Sequence, residues 1–148
     1  MPKQFVEYNP RNVNIDKTVR EKYNELKESE HSPFEELTEI FFMAAIVGFV
    51  NKKRVPLKVR YPLINYQTGY TSEQKWLMKC MVISEKNGLE MLATEDGQRE
   101  ILKIVEEYAN GGIKLLHYEV LGAKLGDYTK RLENELRSEL TKSKGSKG

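Results

Sequence analysis

The sequence predicts an all-α fold: a compact bundle of five to six helices around a central buried hydrophobic helix, with one short extended segment. The first observation is the run from Ile40 to Val50, which contains no polar side chain. It is much shorter than the roughly 20 apolar residues that cross a bilayer, so it is typical of a buried core helix. The second observation is that apolar residues elsewhere recur three and four positions apart, which is the period of an amphipathic helix.

Composition favours a soluble protein of one domain. The 148 residues can bury a sizeable core, and 31% of them are charged, which suits helices with solvated outer faces. The net charge of +2 creates no global field that would draw the chain to nucleic acid or to a membrane. The single Cys80 cannot form an internal disulfide, and the N-terminus lacks the apolar core of a signal peptide, so we expect a cytoplasmic protein.

Local composition also divides the chain into an arm, a domain and a tail. The arm is rich in Pro and Asn, which favour irregular structure. The tail is a run of Thr, Lys, Ser and Gly that has no apolar surface to bury. The expected boundaries are 1–14 for the N-terminal arm, 15–140 for a single helical domain and 141–148 for a disordered basic tail.

Two helices are expected in the first third of the chain. Asn14 or Asp16 can cap the first helix, which continues to about Lys27. Ser32 and Glu35 form a capping box with a proline at the first helical position, which predicts that the central helix begins at Ser32. The residues of this helix expected to be largely buried are Phe41, Phe42, Ala44, Ala45, Ile46 and Phe49.

A basic segment follows the central helix. Its cations have no acid among them, and Val55, Leu57 and Val59 alternate with other residues. This alternation predicts an extended stretch that turns the three apolar side chains inward. Pro56 confines such a strand to a sheet edge or a loop. The candidate nucleic-acid-binding residues are Lys52, Lys53, Arg54, Lys58 and Arg60.

The next helix is expected from Thr71 to Gly88. Thr71 and Gln74 form a capping box at its start, and Asn87 with Gly88 is a good C-terminal cap. Apolar residues surround most of this helix and are expected to bury it on most sides. They are Trp76, Leu77, Cys80, Met81 and Ile83.

The last third of the chain is expected to hold two long helices joined by a short one. Thr94 or Asp96 opens the first, which we expect to stop at Asn110 because Gly111 and Gly112 follow. A short helix or turn then leads to a second stop at Gly122. The final helix, about 123–140, carries an amphipathic stripe of Leu125, Tyr128, Leu132, Leu136 and Leu140.

No constellation of catalytic residues or cofactor ligands stands out. His31 and His117 are far apart and have no zinc-type spacing, and Cys80 is expected to be a buried structural thiol. No glycine-rich nucleotide motif follows a predicted strand, and the acids fall in helical charge pairs. We therefore expect no enzymatic activity, no metal and no cofactor.

Aromatic residues follow the basic segment: Tyr61, Tyr66, Tyr70 and Trp76. Basic residues interleaved with aromatics are typical of a surface that tracks phosphates and stacks bases. Alternatively, the cations at the end of the central helix complement its dipole while the tyrosines cover the edge of the core. The sequence leaves both interpretations open.

Three stretches carry a resemblance to a known family. Residues Phe41 to Leu57, FFMAAIVGFVNKKRVPL, are preceded by KYNELKESEHSPFEEL and accompanied by EEYANGGI at Glu106 to Ile113. In these stretches the chain resembles the small proteins encoded beside DNA phosphorothioation (Dnd-type sulfur-modification) gene clusters, called associated protein four. The resemblance covers about residues 16–140. It implies a role in a prokaryotic DNA-modification or restriction defence locus, and no catalytic or binding residue is carried over from it.

Two functional hypotheses follow. In the first, the chain is a non-catalytic accessory subunit that docks onto a larger protein of the same locus and contacts DNA through the basic segment. The expected docking surface is the acidic face of residues 20–39 or the final amphipathic helix. In the second, it is a small stand-alone DNA-binding protein that uses residues 52–60. A nuclease or other enzyme would need clustered acids or histidines that the sequence does not offer. The oligomeric state does not follow from the sequence.

Overall fold

The fold is mainly helical, as predicted, but it also contains a two-stranded antiparallel sheet and is therefore not purely all-α. The computed structural model of the protein describes residues 8–86, 88–122, 134 and 136–141. The strands are β1 (Asn12–Asp16) and β2 (Arg60–Asn65), and the helices are α1 (Arg20–Glu28), α2 (Leu37–Val50), α3 (Ser72–Lys86) and α4 (Glu95–Leu121). Short 3-10 turns lie at Lys17–Val19 and Leu89–Ala93.

The sheet joins the end of the expected N-terminal arm to the segment that follows the basic residues. Val13 lies opposite Ile64 and Asp16 lies opposite Arg60, so β1 closes the start of the domain against β2. The boundary expected at residue 14 therefore falls inside a strand. The prediction that an extended stretch at 55–59 turns its apolar side chains inward was wrong. Val55 and Val59 are about half exposed, and the strand begins only at Arg60. The proline within β2 is tolerated because both strands of a two-stranded sheet are edges.

The core is built on the packing of α2 against α4. Gly48 in α2 and Gly112 in α4 lie where the two backbones meet. A Cβ on Gly112 would overlap the carbonyl oxygen of Ala44, and one on Gly48 would overlap the carbonyl oxygen of Tyr108. The expected helix stop at Asn110 was therefore wrong. Gly111 and Gly112 lie inside one continuous helix, where their missing side chains allow close approach.

The central helix begins later than its capping box predicted. The hydroxyl of Ser32 accepts from the backbone N–H of Phe34, and α2 starts only at Leu37 after an extended Glu36. Within α2, Phe41, Ala44 and Ala45 are buried as expected, whereas Phe42, Ile46 and Phe49 are only partly buried. This difference arises because α4 covers one face of α2 most closely and leaves other faces near solvent.

Two other predicted caps are confirmed. Thr71 and Gln74 exchange hydrogen bonds of 3.0 and 3.1 Å between backbone N–H groups and side-chain oxygens at the start of α3. The hydroxyl of Thr94 accepts from Gly97 at the start of α4. Gly122 ends α4 with φ +59°, in agreement with its predicted role as a stop.

Helix α3 buries a different face from the one expected. Met78 and Val82 are fully buried, whereas Trp76, Leu77 and Cys80 are exposed. The prediction that Cys80 is a buried structural thiol was therefore wrong. Lysines flank the buried pair on α3, and their long apolar stems can lie along the core while the ammonium groups reach polar atoms.

The final amphipathic stripe is described only in part. Residue 134 and residues 136–141 are helical, and Leu136 and Leu140 are exposed. Leu125, Tyr128 and Leu132 lie outside the described residues, as do residues 142–148 of the expected tail. None of the helices in the described part of the chain combines enough length and apolar content to cross a membrane.

Candidate phosphate-binding surface

The basic segment leaves α2 through a tight reversal. The backbone N–H of Lys52 donates to Phe49 at 3.1 Å and that of Lys53 donates to Gly48 at 2.8 Å. These two bonds form a Schellman motif, in which the residue after the cap takes a left-handed conformation. Lys52 holds that position with φ +55°. The chain therefore folds back from α2 onto α4 instead of continuing away from the domain.

The polar side chains of the EEYANGG motif in α4 hold the reversed segment. The guanidinium of Arg54 donates to Glu107 at 2.8 Å, and the backbone N–H of Val55 donates to the carbonyl of Glu107 at 3.0 Å. The amide of Asn110 donates to the carbonyls of Val55 and Pro56 at 3.1 and 3.3 Å. Glycine is required at position 111, because a Cβ there would overlap the carbonyl oxygen of Lys53. We call Glu106, Glu107, Asn110 and Gly111 the α4 clasp.

The remaining member of the clasp joins both strands. Glu106 is 5% exposed, accepts from Arg60 at 2.8 Å, and accepts from the backbone and side-chain N–H groups of Asn14 at 2.6 and 3.2 Å. Burial raises the pKa of Glu106 above its ordinary value, although the bonds from Asn14 and Arg60 oppose this effect. Arg54 and Arg60 thus neutralise buried carboxylates and are anchored within the protein.

Three lysines lie around one surface pocket beside the clasp. The pocket has a volume of about 370 Å³, and its rim carries the exposed side chains of Lys53, Lys58 and Lys114. Among the described residues, no salt bridge engages these three ammonium groups. We call this site the lysine pocket. Its lining is Asp16, Thr18, Val19, Lys53, Val55, Pro56, Lys58, Asn110, Gly111, Lys114 and Leu115.

Asp16 is the acidic residue in this lining, and its carboxylate is bonded on both oxygens. The backbone N–H of Lys58 donates to one oxygen at 2.7 Å, and the N–H and hydroxyl of Thr18 donate to the other at 3.0 and 2.9 Å. Desolvation opposes ionisation, but these donors hold the pKa of Asp16 below its ordinary value of 3.8. Asp16 therefore fixes the backbone that presents Lys58, and it leaves the pocket with a net positive rim.

The structure separates the five candidate residues into different environments. Lys53 and Lys58 line the lysine pocket. Lys52 lies instead on a neighbouring groove of about 530 Å³ together with Arg54, over Phe49, Val50 and Tyr108. Arg60 lines neither of these two sites and is paired with Glu106.

Sequence reasoning missed Lys114. It lies four residues after Asn110 and seven after Glu107, and therefore on the same helical face as both. The expected helix stop at Asn110 hid that relationship. Predicting one continuous helix through Gly111 and Gly112 would have placed Lys114 on the face of Glu107 and Asn110.

The aromatic residues do not form a stacking surface next to the lysines. Tyr66 and Tyr70 are buried in the core, and the hydroxyl of Tyr70 donates to the carbonyl of Thr38 at 2.6 Å. Tyr61 lies against the guanidinium of Arg20, and Trp76 is exposed on α3. The site can bind anionic groups by charge, but it does not present a row of rings for bases.

A comparison with family models decides the affiliation of the chain. The family described as DNA sulphur modification system-associated protein 4 matches residues 13–148. The chain belongs to this family. The matched range includes β1 from Val13 onward, all of β2, helices α1 to α4 and every residue that lines the lysine pocket. No curated protein and no solved structure matched the chain.

The match confirms the resemblance inferred from the sequence, and the family description associates the chain with a DNA sulphur modification system. The EEYANGGI stretch that helped to carry the resemblance contains the four residues of the α4 clasp. Its residues hold the basic segment in place, so this part of the family resemblance corresponds to a structural device.

A second cleft of about 480 Å³ has Glu106 of the clasp in its lining. Arg60, Arg99 and Lys103 line it together with Asp96, Glu100 and Glu106, so the two signs of charge balance. Arg99 is already bonded to Asp96 and Glu95. Within the described residues, no group of three or more His, Cys, Asp or Glu side chains is arranged to hold a metal ion.

Proposed function

We propose that this protein is a non-catalytic accessory subunit of a DNA sulphur modification system that contacts DNA phosphates through the lysine pocket. The observation that carries the proposal is the convergence of Lys53, Lys58 and Lys114 on one pocket, with no salt bridge recorded for any of them among the described residues. Lysine ammonium groups that are free of carboxylate partners are suited to bind backbone phosphates. The family description supports DNA as the source of the phosphate.

The expected DNA affinity of the isolated chain is low. Three phosphate contacts correspond to a slope of about −2.7 in a plot of log K against log salt on duplex DNA. The net charge of +2 adds little long-range attraction. We therefore infer that the protein acts as part of an assembly, in which a partner adds further contacts. The alternative of a stand-alone DNA-binding protein requires strong binding by the chain alone.

Exposed apolar side chains support docking onto a partner protein. Trp76 and Leu77 on α3 are 46% and 52% exposed, and Leu136 near the C-terminus is 63% exposed. Large exposed apolar side chains contribute to docking surfaces when a partner covers them. We propose that the partner belongs to the same modification or restriction locus.

The DNA-binding proposal is tested by fluorescence anisotropy with duplex DNA across a salt series. The protein is measured alone and together with the copurified proteins of its locus. We expect weak binding alone and stronger binding in the assembly. Changing Lys53, Lys58 and Lys114 together to Gln should remove three phosphate contacts. The plot of log K against log salt should then be less steep by about 2.7.

The control variant carries Gln at three other lysines, Lys22, Lys27 and Lys103, and therefore has the same net charge. It should bind DNA nearly as the wild-type protein does. If the two variants bind equally, the lysine pocket is not the DNA contact. A thermal melt of each variant establishes that both are folded.

The proposed absence of catalysis is tested on the purified protein. Asp16, Glu106 and Glu107 are each engaged in bonds that hold the structure together, which leaves them poorly placed for chemistry. We expect no nuclease, ATPase or protease turnover with or without divalent metal. Metal-dependent turnover that persists through purification and disappears on changing one carboxylate would contradict the proposal.

A further inference from the structure

The lysine pocket has an apolar wall beside its charged rim. Val55, Pro56 and Leu115 line it together with the buried Val19. Val55 is 46% exposed, although the extended segment expected at 55–59 would have turned its side chain toward the core. Its backbone N–H donates to Glu107 and its carbonyl accepts from Asn110, so the α4 clasp holds this residue at the pocket.

An ordinary phosphate is an unusual ligand for such a wall. Its non-bridging oxygens are strongly hydrated and need hydrogen-bond donors, so contact with valine, proline and leucine would desolvate them without compensation. A phosphorothioate diester has the same single negative charge, but one non-bridging oxygen is replaced by sulfur. Sulfur is larger, more polarizable and a weak hydrogen-bond acceptor, so it loses little on contact with apolar atoms.

We propose that the lysine pocket binds a DNA phosphorothioate diester in preference to an ordinary phosphodiester. Lys53, Lys58 and Lys114 surround the negative charge, and Val55, Pro56 and Leu115 contact the sulfur. This inference rests on the proposed function, because it assumes that the pocket contacts DNA. It assigns to the same site the ability to distinguish a phosphorothioate linkage of the DNA backbone from an ordinary phosphodiester.

The test uses two duplexes of identical sequence that differ in one internal linkage. One carries an ordinary phosphodiester and the other a single phosphorothioate, with the two diastereomers measured separately. Sulfur exposes about as much apolar surface as a methylene group, so one diastereomer should bind about fourfold more tightly than the ordinary duplex. The other should show little preference, because its sulfur points away from the wall.

Two matched variants distinguish a specific sulfur contact at the apolar wall from a non-specific preference of the protein for sulfur. Val55→Ser makes the wall polar at an exposed position, and it should bring the ratio of phosphorothioate to ordinary duplex affinity close to one. Val50→Ser changes a 69% exposed valine outside the pocket and should leave the ratio unchanged. Gln at all three pocket lysines should weaken binding of both duplexes.

The possible failures can be told apart. Equal affinity for all duplexes, with binding still dependent on the lysines, would overturn the sulfur preference and leave the proposed function standing. A preference that is the same for both diastereomers, or that survives Val55→Ser, would place the sulfur contact elsewhere and also overturn the inference. If neither the protein nor its assembly binds any duplex through the lysines, the proposed function fails as well.

Discussion

At the scale of single residues, neighbouring cations in the sequence have different tasks. Arg54 and Arg60 reach back to carboxylates on α4 that are 8% and 5% exposed, whereas Lys53 and Lys58 extend to the surface pocket. This division agrees with the chemistry of the two side chains. A guanidinium is weakly hydrated and suited to partly buried ion pairs, whereas an ammonium is strongly hydrated and favours the surface.

We expect Arg60→Ala to lower the free energy of unfolding at neutral pH by about 1–3 kcal/mol, because the buried carboxylate of Glu106 keeps only the donors of Asn14. The loss should be smaller than that of a fully buried pair, since the Arg60 side chain is 46% exposed. Lys58→Ala, which removes no ion pair within the part of the chain that the structure describes, should change stability by less than about 0.5 kcal/mol.

The stability loss of Arg60→Ala should also depend on pH. The pKa of Glu106 is raised in the folded protein, so its protonated form dominates in both folded and unfolded states below its ordinary value of 4.5. Arg60 has little to neutralise there, and the difference between wild type and variant should shrink. It should grow as pH rises through the folded pKa. Denaturant unfolding at acidic and neutral pH measures this, and an equal loss at both would contradict the assignment.

Two buried tyrosines provide a second prediction at this scale. The Tyr23 hydroxyl is buried without a hydrogen-bond partner among the described residues, whereas that of Tyr70 is bonded to Thr38. Tyr23→Phe should leave the free energy of unfolding unchanged or raise it slightly, and Tyr70→Phe should lower it by about 0.5–1.5 kcal/mol. Thermal melts of both variants check this, and a larger loss for Tyr23→Phe would show that its hydroxyl is satisfied.

At the scale of elements, the two glycines in the middle of α4 determine how the core is assembled. Gly112 lets α4 pass close to α2, and the adjacent Gly111 lets the backbone of Lys53 approach another side of the same turn. The same stretch supplies Glu106, Glu107 and Asn110 to hold the basic segment. One motif therefore packs the central helix and also positions the lysine pocket.

We expect Gly112→Ala to destabilise the protein by about 1–3 kcal/mol or more, because the new methyl group would overlap the carbonyl oxygen of Ala44. Helix propensity alone predicts the opposite sign, a gain of about 1 kcal/mol. Lys103→Ala, at an exposed position of the same helix, should be nearly neutral. Denaturant unfolding distinguishes the two signs, and a stabilised Gly112→Ala would contradict the close packing of α2 and α4.

At the scale of the whole molecule, the strand pairing connects the start of the chain to its middle and to α4. Val13 is buried and Asn14 donates two bonds to Glu106, so the first strand is part of the core and part of the clasp. The lysine pocket depends on the same strand, because Asp16 at its end holds the backbone of Lys58.

We expect deletion of residues 2–14 to cost about 3 kcal/mol or more. It removes one buried valine, whose burial contributes about 1.5–3 kcal/mol, and leaves Glu106 without two donors. Deletion of residues 2–7 is the matched control, because it removes none of these contacts. Calorimetry of the two proteins gives the comparison, and equal melting temperatures would show that β1 adds little to the fold.

The sequence by itself determined the local features of this protein. These include the largely helical character, the central apolar helix that ends near Asn51, the caps at Thr71 and Thr94, the stop at Gly122 and the family resemblance. Each depends on residues within a few positions of one another, where hydrogen bonds, charges and periodicity can be read directly.

Only the tertiary structure decided whether Gly111 and Gly112 end a helix or allow another backbone to approach. It also decided that Arg54 and Arg60 pair with glutamates 53 and 46 residues away, and that Lys114 joins Lys53 and Lys58. A glycine or a cation has several low-energy uses, and its immediate neighbours do not distinguish among them. The choice is made by a segment distant in sequence that becomes adjacent only when α4 packs on α2.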